Sequence, residues 1–167
     1  CADHSAPDWK RFTRHVRACE GSAARANARV TNREALTRKV VRGLYVSDAR
    51  LRQPLGPART GFYDLIVTGF CIDAISSDPR VFRRCLRNVT SMLQPGGTFV
   101  IHALHQCKAY KCGDRMFPCS NLTIHDMQDA MTESGVVPAS IDAQVIPCRD
   151  NAAYGYSGIL TASGRKA

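Results

Sequence analysis

The chain has 167 residues, 44% of them hydrophobic and 22% charged, which is the size and balance of one globular domain. This composition excludes a disordered tail, and no apolar run reaches the roughly 18 residues that a membrane-spanning helix needs. The formal net charge is +9, and it is uneven: residues 1–60 carry 13 basic and 5 acidic side chains, whereas residues 61–167 carry 10 and 9.

The excess of basic residues in the first part of the chain allows two interpretations. The charges are spaced singly among alanine and valine, and no nucleic-acid recognition motif accompanies them. This spacing favours a solvated basic face. A binding site for a polyanion is the alternative, because clustered positive charge attracts phosphate backbones and anionic surfaces.

The eight cysteines do not form a regular disulfide framework along the chain. Free cysteine commonly behaves as a small buried hydrophobic residue. The chain begins without an apolar signal core, so we predict a reduced, cytoplasmic protein. Two glycosylation sequons begin at Asn88 and Asn121, and both are discounted, the first because it lies in a strong helical pattern.

Residues 1–60 carry weak structural signals. The most regular segment, residues 34–43, predicts a short helix that ends at Gly43. Residues 44–46 form a brief apolar run, and residues 53–57 have the proline and glycine content of a loop. This part of the chain is therefore predicted to be a basic connecting segment with a helix and a short strand.

The second part of the chain has clearer signals. Residues 62–67 predict a nearly apolar strand of the kind found in parallel sheets. Asp78 is a helix N-cap with Pro79 in the first helical position, and the helix that follows has one apolar face. A proline–glycine turn at residues 94–97 ends this helix, and residues 98–101 predict the next strand.

A second helix is predicted over residues 123–134. Thr123 is its N-cap and Asp126 stands three residues later, which is the spacing of a capping box. Two strands follow, over residues 141–146 and 156–162, and they pair antiparallel because no helix separates them. The order β-α-β-α-β-β predicts an α/β fold with a mostly parallel sheet that ends in an antiparallel hairpin.

Four segments, in order and with small gaps, carry a resemblance to a known family. DLIVTGFCIDA at residues 64–74 stands in register with QPGGTFVIHAL at residues 94–104, and SDA at residues 47–49 is followed by QPLG at residues 53–56. Together they resemble the nicotinamide, phenylethanolamine and thioether (indolethylamine) N-methyltransferases. The resemblance implies a Rossmann-like class I methyltransferase sheet.

The glycine-rich loop and first strands that open the family's sequences find no counterpart here. The chain therefore resembles a carboxy-terminal portion: one partial domain over residues 1–167, with the connecting segment at 1–60 and the carboxy-terminal half of the sheet at 61–167. With the amino-terminal strands missing, strand 62–67 would keep an unpaired edge. We expect this chain to be incomplete as an enzyme on its own.

The resemblance implies the activity, the cofactor and the substrate class. The cofactor is S-adenosyl-L-methionine, and the methyl group goes to the nitrogen, or thioether sulfur, of a small amine or pyridine-type acceptor. We expect a monomer without a membrane or nucleic-acid partner. The alternative is a non-catalytic protein, either a degenerate methyltransferase fold or a basic polyanion-binding domain.

The resemblance assigns one group of cofactor-binding residues to the loop before the first strand. Asp48 would accept a hydrogen bond from the adenine amino group, and Ser47 and Ala49 would shape that loop. In the alternative interpretation, Asp48 only caps a turn.

A second group of cofactor-binding residues follows the first strand. Gly69, Phe70 and Cys71 leave its carboxyl end, where open α/β sheets bind ligands. Gly69 would let the backbone approach the cofactor, and Phe70 would form a wall of the methyl-transfer site and contact the substrate as well. The alternative for Phe70 and Cys71 is core packing.

Two more residues are predicted to bind the substrate. Tyr110 precedes Gly113 by three residues, as the family's substrate-facing tyrosine precedes its glycine, and its ring would stack on the acceptor amine. His102 ends its strand, and its imidazole would accept a proton from the acceptor. The alternatives are a half-exposed loop tyrosine and a core histidine.

One cluster suggests different chemistry. His102, His105, Cys107, Cys112 and Cys119 lie close together in sequence, and all are zinc-ligand types. Their spacing lacks the paired C-x2-C knuckles of a strong zinc motif, so we predict no metal site. A disulfide between Cys107 and Cys112 stays open as an alternative for an oxidising compartment.

Overall fold

The computed structural model describes three stretches of the chain: residues 10–19, 30–148 and 155–167. The chain divides into two units, residues 1–45 and residues 46–167. No helix within the three stretches is long and apolar enough to cross a membrane.

The first unit contributes two described helices, α1 (Lys10–Cys19) and α2 (Val30–Val40). α2 overlaps the helix predicted over residues 34–43 but begins earlier and ends before Gly43. Arg38 and Lys39 lie in its last turn, where positive charge interacts favourably with the carbonyl end of the helix dipole.

The second unit alternates strands and helices before it closes with two further strands. In chain order its elements are β1 (Tyr63–Gly69), α3 (Pro79–Thr90), β2 (Leu93–His105), β3 (Ala109–Cys112), β4 (Arg115–Pro118), α4 (Ile124–Glu133), β5 (Asp142–Pro147) and β6 (Gly158–Arg165). Four of the strands form one sheet in the order β1-β2-β6-β5. β1 and β2 are parallel, and β6 pairs antiparallel with both β2 and β5. The predicted antiparallel end of the sheet is confirmed, and β1 lies at one edge of this sheet among the described strands.

α3 begins where its capping residues predict. The carboxylate of Asp78 accepts a hydrogen bond from the backbone amide of Arg80 at 2.9 Å, and Pro79 occupies the first turn. The helix ends at Thr90, because Leu93 already belongs to β2. Its buried face consists of Phe82, Cys85, Leu86, Asn88, Val89 and Thr90.

The turn predicted at residues 94–97 is instead the beginning of β2. Gly97 is buried, and a Cβ atom there would lie 2.9 Å from the carbonyl oxygen of Gln94 and 3.1 Å from that of Tyr63. Only glycine lets the two backbones approach this closely, so the glycine continues the strand and does not end it.

α4 has the predicted capping box. The hydroxyl of Thr123 accepts a hydrogen bond from the amide of Asp126 at 3.2 Å, and the Asp126 carboxylate accepts one from the amide of Thr123 at 2.9 Å. The side chains of Met127, Ala130 and Met131 are buried against the sheet.

The hydrophobic core lies between these two helices and one face of the sheet. The sheet residues that pack there are Ile66, Phe99, Ile101, Ala103, Leu160 and Ala162. Because side chains alternate along a strand, Leu65 and Val67 of β1 point to the opposite face, where 54% and 60% of their surface is exposed.

Asn88 of α3 fixes the loop that precedes the sheet. Its side-chain amide donates a hydrogen bond to the carbonyl oxygen of Ala49 at 2.9 Å, and the residue is only 8% exposed. The nitrogen that a glycan would occupy is therefore engaged inside the protein, which agrees with discounting this sequon.

The β3–β4 hairpin was not predicted from the sequence. Tyr110 pairs with Phe117 and Cys112 with Arg115, which leaves Gly113 and Asp114 as a two-residue turn. Gly113 has a φ of 60°, in the left-handed region that such hairpin turns require. The hairpin places the end of β3 beside the carboxyl ends of β1 and β2.

Candidate active site

A cavity of about 430 Å³ opens beside the carboxyl ends of β1 and β2. This edge of a parallel α/β sheet is where ligands characteristically bind. The cavity is lined by Phe70, Asp73, Ala74, Leu104, Tyr110, Lys111, Cys112, Tyr156 and Ile159. Phe70 and Tyr110, which were predicted as site residues, therefore line the same cavity. The other lining residues were not among the predicted site residues.

Asp73 is the buried polar group of this cavity, with 1% of its surface exposed. Its Oδ2 atom accepts a hydrogen bond from the backbone amide of Leu104 at 2.9 Å. Its Oδ1 atom is buried and has no hydrogen-bond partner among the described residues. Burial raises the pKa of this carboxyl above its usual value, because the charged form is poorly solvated.

Asp73 is absent from the site residues predicted above, although it lies within the segment that carries the family resemblance. The available signal was an acidic residue in an otherwise apolar run, in the turn that follows the first predicted strand. A buried carboxylate with an unpaired oxygen is uncommon in proteins, and such groups concentrate at functional sites.

Two buried thiols and one hydroxyl surround the Asp73 turn. The Sγ atom of Cys119 donates to Oδ2 of Asp73 at 3.7 Å, and the hydroxyl of Ser120 donates to the Asp73 carbonyl oxygen at 3.0 Å. Cys107 and Cys119 are both fully buried, and burial raises the pKa of Cys119 to about 12. These thiols therefore stay protonated at neutral pH and act as packing and hydrogen-bonding groups.

The described cysteines are free thiols, and Cys112 is exposed whereas Cys107 is buried. Within the parts of the chain that the structure describes, no group of three His, Cys, Asp or Glu side chains is placed to hold a metal ion.

The turn after β1 brings four predicted residues together. The backbone amide of Phe70 donates to the carbonyl oxygen of His102 at 2.8 Å, and the two rings lie 6.5 Å apart. The thiol of Cys71 donates to the carbonyl oxygen of Gly69 at 3.0 Å. Phe70 has a φ of 55°, a left-handed conformation that costs a bulky residue about 1 kcal/mol or more and that concentrates at functional sites.

Tyr110 enters the cavity from the β3–β4 hairpin. Its ring stacks on Phe117 with 5.6 Å between centroids and an interplanar angle of 22°. Burial raises the pKa of its hydroxyl, so it is a neutral hydrogen-bonding group at physiological pH. The stacked pair holds the tyrosine ring in one orientation beside the cavity.

The predicted residues Ser47, Asp48 and Ala49 do not line this cavity. Both carboxylate oxygens of Asp48 accept hydrogen bonds from the Arg50 guanidinium, at 2.8 Å in the shortest case, and this partner lowers the pKa of Asp48. The carbonyl of Ala49 is bound to α3 through Asn88. The structure therefore brings the Gly69–Cys71 turn, His102 and Tyr110 together, and holds the Asp48 loop against α3.

Comparison with known proteins gives a consistent match in sequence. A model of the NNMT/PNMT/TEMT family matches residues 2–167. The chain is 28% identical over 128 residues to nicotinamide N-methyltransferase of Homo sapiens, with 77% of this chain and 47% of the relative covered. Against phenylethanolamine N-methyltransferase of Sus scrofa the identity is 25% over 142 residues, with 84% and 49% covered. The chain spans about half the length of the curated relatives it matches.

Solved structures share the fold. An S-adenosylmethionine-dependent methyltransferase from Methanosarcina mazei superposes with a TM-score of 0.56 at 15% identity, covering 80% of this chain and 76% of its own. The CurJ carbon methyltransferase has a TM-score of 0.52 at 14% identity, covering 82% and 38%. The fold is thus the Rossmann-like methyltransferase fold predicted above, and with a family match from residue 2 to residue 167 the chain belongs to the NNMT/PNMT/TEMT family.

Proposed function

We propose that this chain forms the acceptor-binding part of an S-adenosyl-L-methionine-dependent methyltransferase. The reaction is transfer of a methyl group to the nitrogen, or thioether sulfur, of a small amine or pyridine-type acceptor. Relatives named for nicotinamide, indolethylamine and phenylethanolamine N-methylation support this substrate class. The observation that carries the proposal is the buried carboxyl of Asp73, a residue that lines the cavity and whose Oδ1 atom has no hydrogen-bond partner among the described residues.

Asp73 binds the acceptor through this oxygen. A carboxylate oxygen accepts hydrogen bonds, so it pairs with an N–H group of an amine or of a ring substituent. Leu104 already fixes the other oxygen, so the carboxyl is preorganised before the acceptor arrives. Its raised pKa also makes it a stronger proton acceptor than an exposed aspartate.

The other cavity walls position the acceptor and exclude water. Phe70, Leu104 and Ile159 are apolar, and Tyr110 offers a ring face to an aromatic or cationic group. Methyl transfer is an in-line displacement that needs alignment more than acid–base chemistry, so a dry, shaped cavity serves it well. A volume of about 430 Å³ suits a small molecule.

The turn after β1 fits the reactive end of the cofactor. A Cβ atom added at Gly69 would meet no atom within 4 Å, so there is room for a ligand against this backbone. Gly69, Phe70 and Cys71 would hold the cofactor there, and S-adenosylmethionine would supply the methyl group from its sulfonium. His102, beside the Phe70 ring, offers an imidazole for a proton released by the acceptor.

To bind the adenine end of the cofactor, Asp48 would have to exchange its hydrogen bonds with Arg50 for one with the ligand. Its ion pair with Arg50 is largely exposed, with 62% and 36% of the two side chains accessible. Such surface pairs contribute roughly 0 to 1 kcal/mol, so the carboxylate can exchange Arg50 for a ligand N–H at small cost. Ser47 and Ala49 would shape this loop around the adenine.

The proposal is tested by methyl transfer from radiolabelled S-adenosylmethionine to a panel of small amines and pyridines. Asp73→Asn should lower kcat/KM at least tenfold, a loss typical of one buried hydrogen bond to a charged group. The matched control is Asp129→Asn, an exposed carboxylate on α4 outside the cavity. Equal activity of the two variants would overturn the proposal, as would equal binding of the amines and pyridines by both variants where the 167-residue chain alone transfers no methyl group.

A further inference from the structure

The cavity that holds Asp73 also carries a positive charge. Lys111 is the second-to-last residue of β3. It lines the same cavity and is exposed, whereas Asp73 is buried. No ion pair among the described residues involves Lys111. The cavity lining therefore combines a buried carboxyl with an exposed lysine that has no ion-pair partner among the described residues.

Among the described residues that line the cavity, only Asp73 and Lys111 can carry a formal charge at neutral pH. The other lining residues contribute apolar side chains, two tyrosines and the Cys112 thiol. Further titratable groups next to lining residues include the Cys107 and Cys119 thiols beside Asp73 and the imidazole of His102 beside Phe70. The two charges of opposite sign thus determine which small molecules complement the cavity electrostatically.

We infer that the acceptor carries a carboxylate in addition to the nitrogen that is methylated, and that Lys111 pairs with this carboxylate. The N–H group of such a molecule reaches Oδ1 of Asp73 while its anionic end lies toward Lys111 at the open side. The inference rests on the proposed role of the cavity as the acceptor site. An exposed ammonium–carboxylate pair should improve affinity about threefold to fivefold.

Matched ligand pairs isolate this charge. Phenylalanine and phenethylamine, and likewise tryptophan and tryptamine, differ by a carboxylate on the same aliphatic amine, so both members of each pair keep the N–H groups that would reach Asp73. Affinities are measured by ligand-observed NMR with the 167-residue chain in the presence of S-adenosylhomocysteine. The wild-type chain should bind the carboxylate member of a pair about threefold to fivefold more tightly, and added salt should reduce this ratio.

Two lysine variants distinguish a direct pair between Lys111 and the ligand carboxylate from a general effect of the positive charge of the chain. Lys111→Met should bring the affinity ratio to about one, because only the cavity ammonium is removed. Lys108→Met is the matched control: Lys108 is exposed, lies outside the cavity lining, and contributes its backbone carbonyl, not its side chain, to the bond with the Cys119 amide. This control should keep the wild-type ratio.

Each contrary result has a distinct meaning. The inference is overturned if the wild-type chain shows no preference for the carboxylate members, if Lys111→Met keeps the preference, or if Lys108→Met loses it equally. In those cases, weaker binding of phenethylamine and tryptamine by Asp73→Asn would still support the acceptor site. If no member of either pair binds the wild-type chain, the acceptor site itself is wrong and the inference falls with it.

Discussion

The backbone amide of Leu104 donates a hydrogen bond to Oδ2 of Asp73 at 2.9 Å, which ties the turn after β1 to the end of β2. The thiol of Cys119 donates a hydrogen bond to the same oxygen. The carboxyl is therefore fixed in one orientation, and Oδ1 is the oxygen that has no hydrogen-bond partner among the described residues. These two hydrogen bonds to Oδ2 thus determine which oxygen of the buried carboxyl is left without a partner among the described residues.

Asp73 should make the free energy of unfolding fall as the pH rises, which is the opposite of the usual effect of an aspartate in a folded protein. Its pKa in the folded chain lies above the ordinary value of 3.8, so the folded state binds this proton more tightly than the unfolded state. Its contribution is fully present below that ordinary value and is lost as the pH rises through the raised pKa. Asp73→Asn removes the titration.

The measurement is urea unfolding of wild-type and Asp73→Asn chains from acid to neutral pH. The free energy of unfolding of the wild type, minus that of the variant, should fall as the pH rises and then level off. A difference that grows with pH would contradict the raised pKa. Subtraction removes the opposite trends of Asp48, Asp78 and Asp126, whose pKa values are lowered.

Thr68 of β1 should be replaceable by valine with a gain in stability. Its Oγ1 atom is buried and has no hydrogen-bond partner among the described residues. Removing such a hydroxyl without changing the shape of the side chain should raise the free energy of unfolding by about 1 kcal/mol. Thr132→Val is the control, since the Thr132 hydroxyl is exposed and donates to the Gln128 carbonyl. A destabilised Thr68→Val chain would show that the hydroxyl is bound in solution.

Thr123 should stabilise α4 through its hydroxyl. Thr123→Ala removes the acceptor of the Asp126 amide and should lower the free energy of unfolding by about 1 kcal/mol. Thr132→Ala, in the last turn of the same helix, should change it much less. Equal losses in the two variants, measured by chemical denaturation, would exclude a capping contribution.

Cysteine reactivity should follow burial. Iodoacetamide should modify the exposed Cys71 and Cys112 in the native chain, whereas Cys107 and Cys119 should react only after unfolding. Mass spectrometry of the digested protein gives the order of modification. Because Cys112 lines the cavity, a bound acceptor should slow its alkylation and leave that of Cys71 less affected. Rapid native modification of Cys119 would contradict its buried position.

Features encoded by neighbouring residues could be predicted from the sequence. The Asp78–Pro79 cap and the Thr123–Asp126 capping box are local patterns, and both helices begin where those patterns indicate. The β-α-β-α-β-β order and the antiparallel end of the sheet followed from these elements. The cytoplasmic location and the monomeric state stay predictions of the sequence.

Features that depend on distant contacts could not be predicted. The sequence predicts a turn at residues 94–97, but these residues belong to β2, because the backbone of Tyr63 lies close to Gly97. The β3–β4 hairpin could not be predicted, because its strands are only four residues long and mostly exposed. Their sequences therefore show no alternation of apolar and polar residues. Asp73 becomes a candidate site residue only in the structure, where the Leu104 amide binds one of its oxygens and the other has no partner among the described residues.

The central claim is that the turn after β1 and its cavity bind the cofactor and acceptor of a methyltransferase. Calorimetric titration of S-adenosylhomocysteine into the wild-type chain, Phe70→Ala and Phe62→Ala tests it most directly. Phe62 is the control because it is an exposed aromatic residue at the opposite end of β1. We predict saturable binding to the wild type and Phe62→Ala, with affinity at least tenfold weaker for Phe70→Ala. No binding to a folded wild-type chain, or equal affinities for the two variants, would contradict the account.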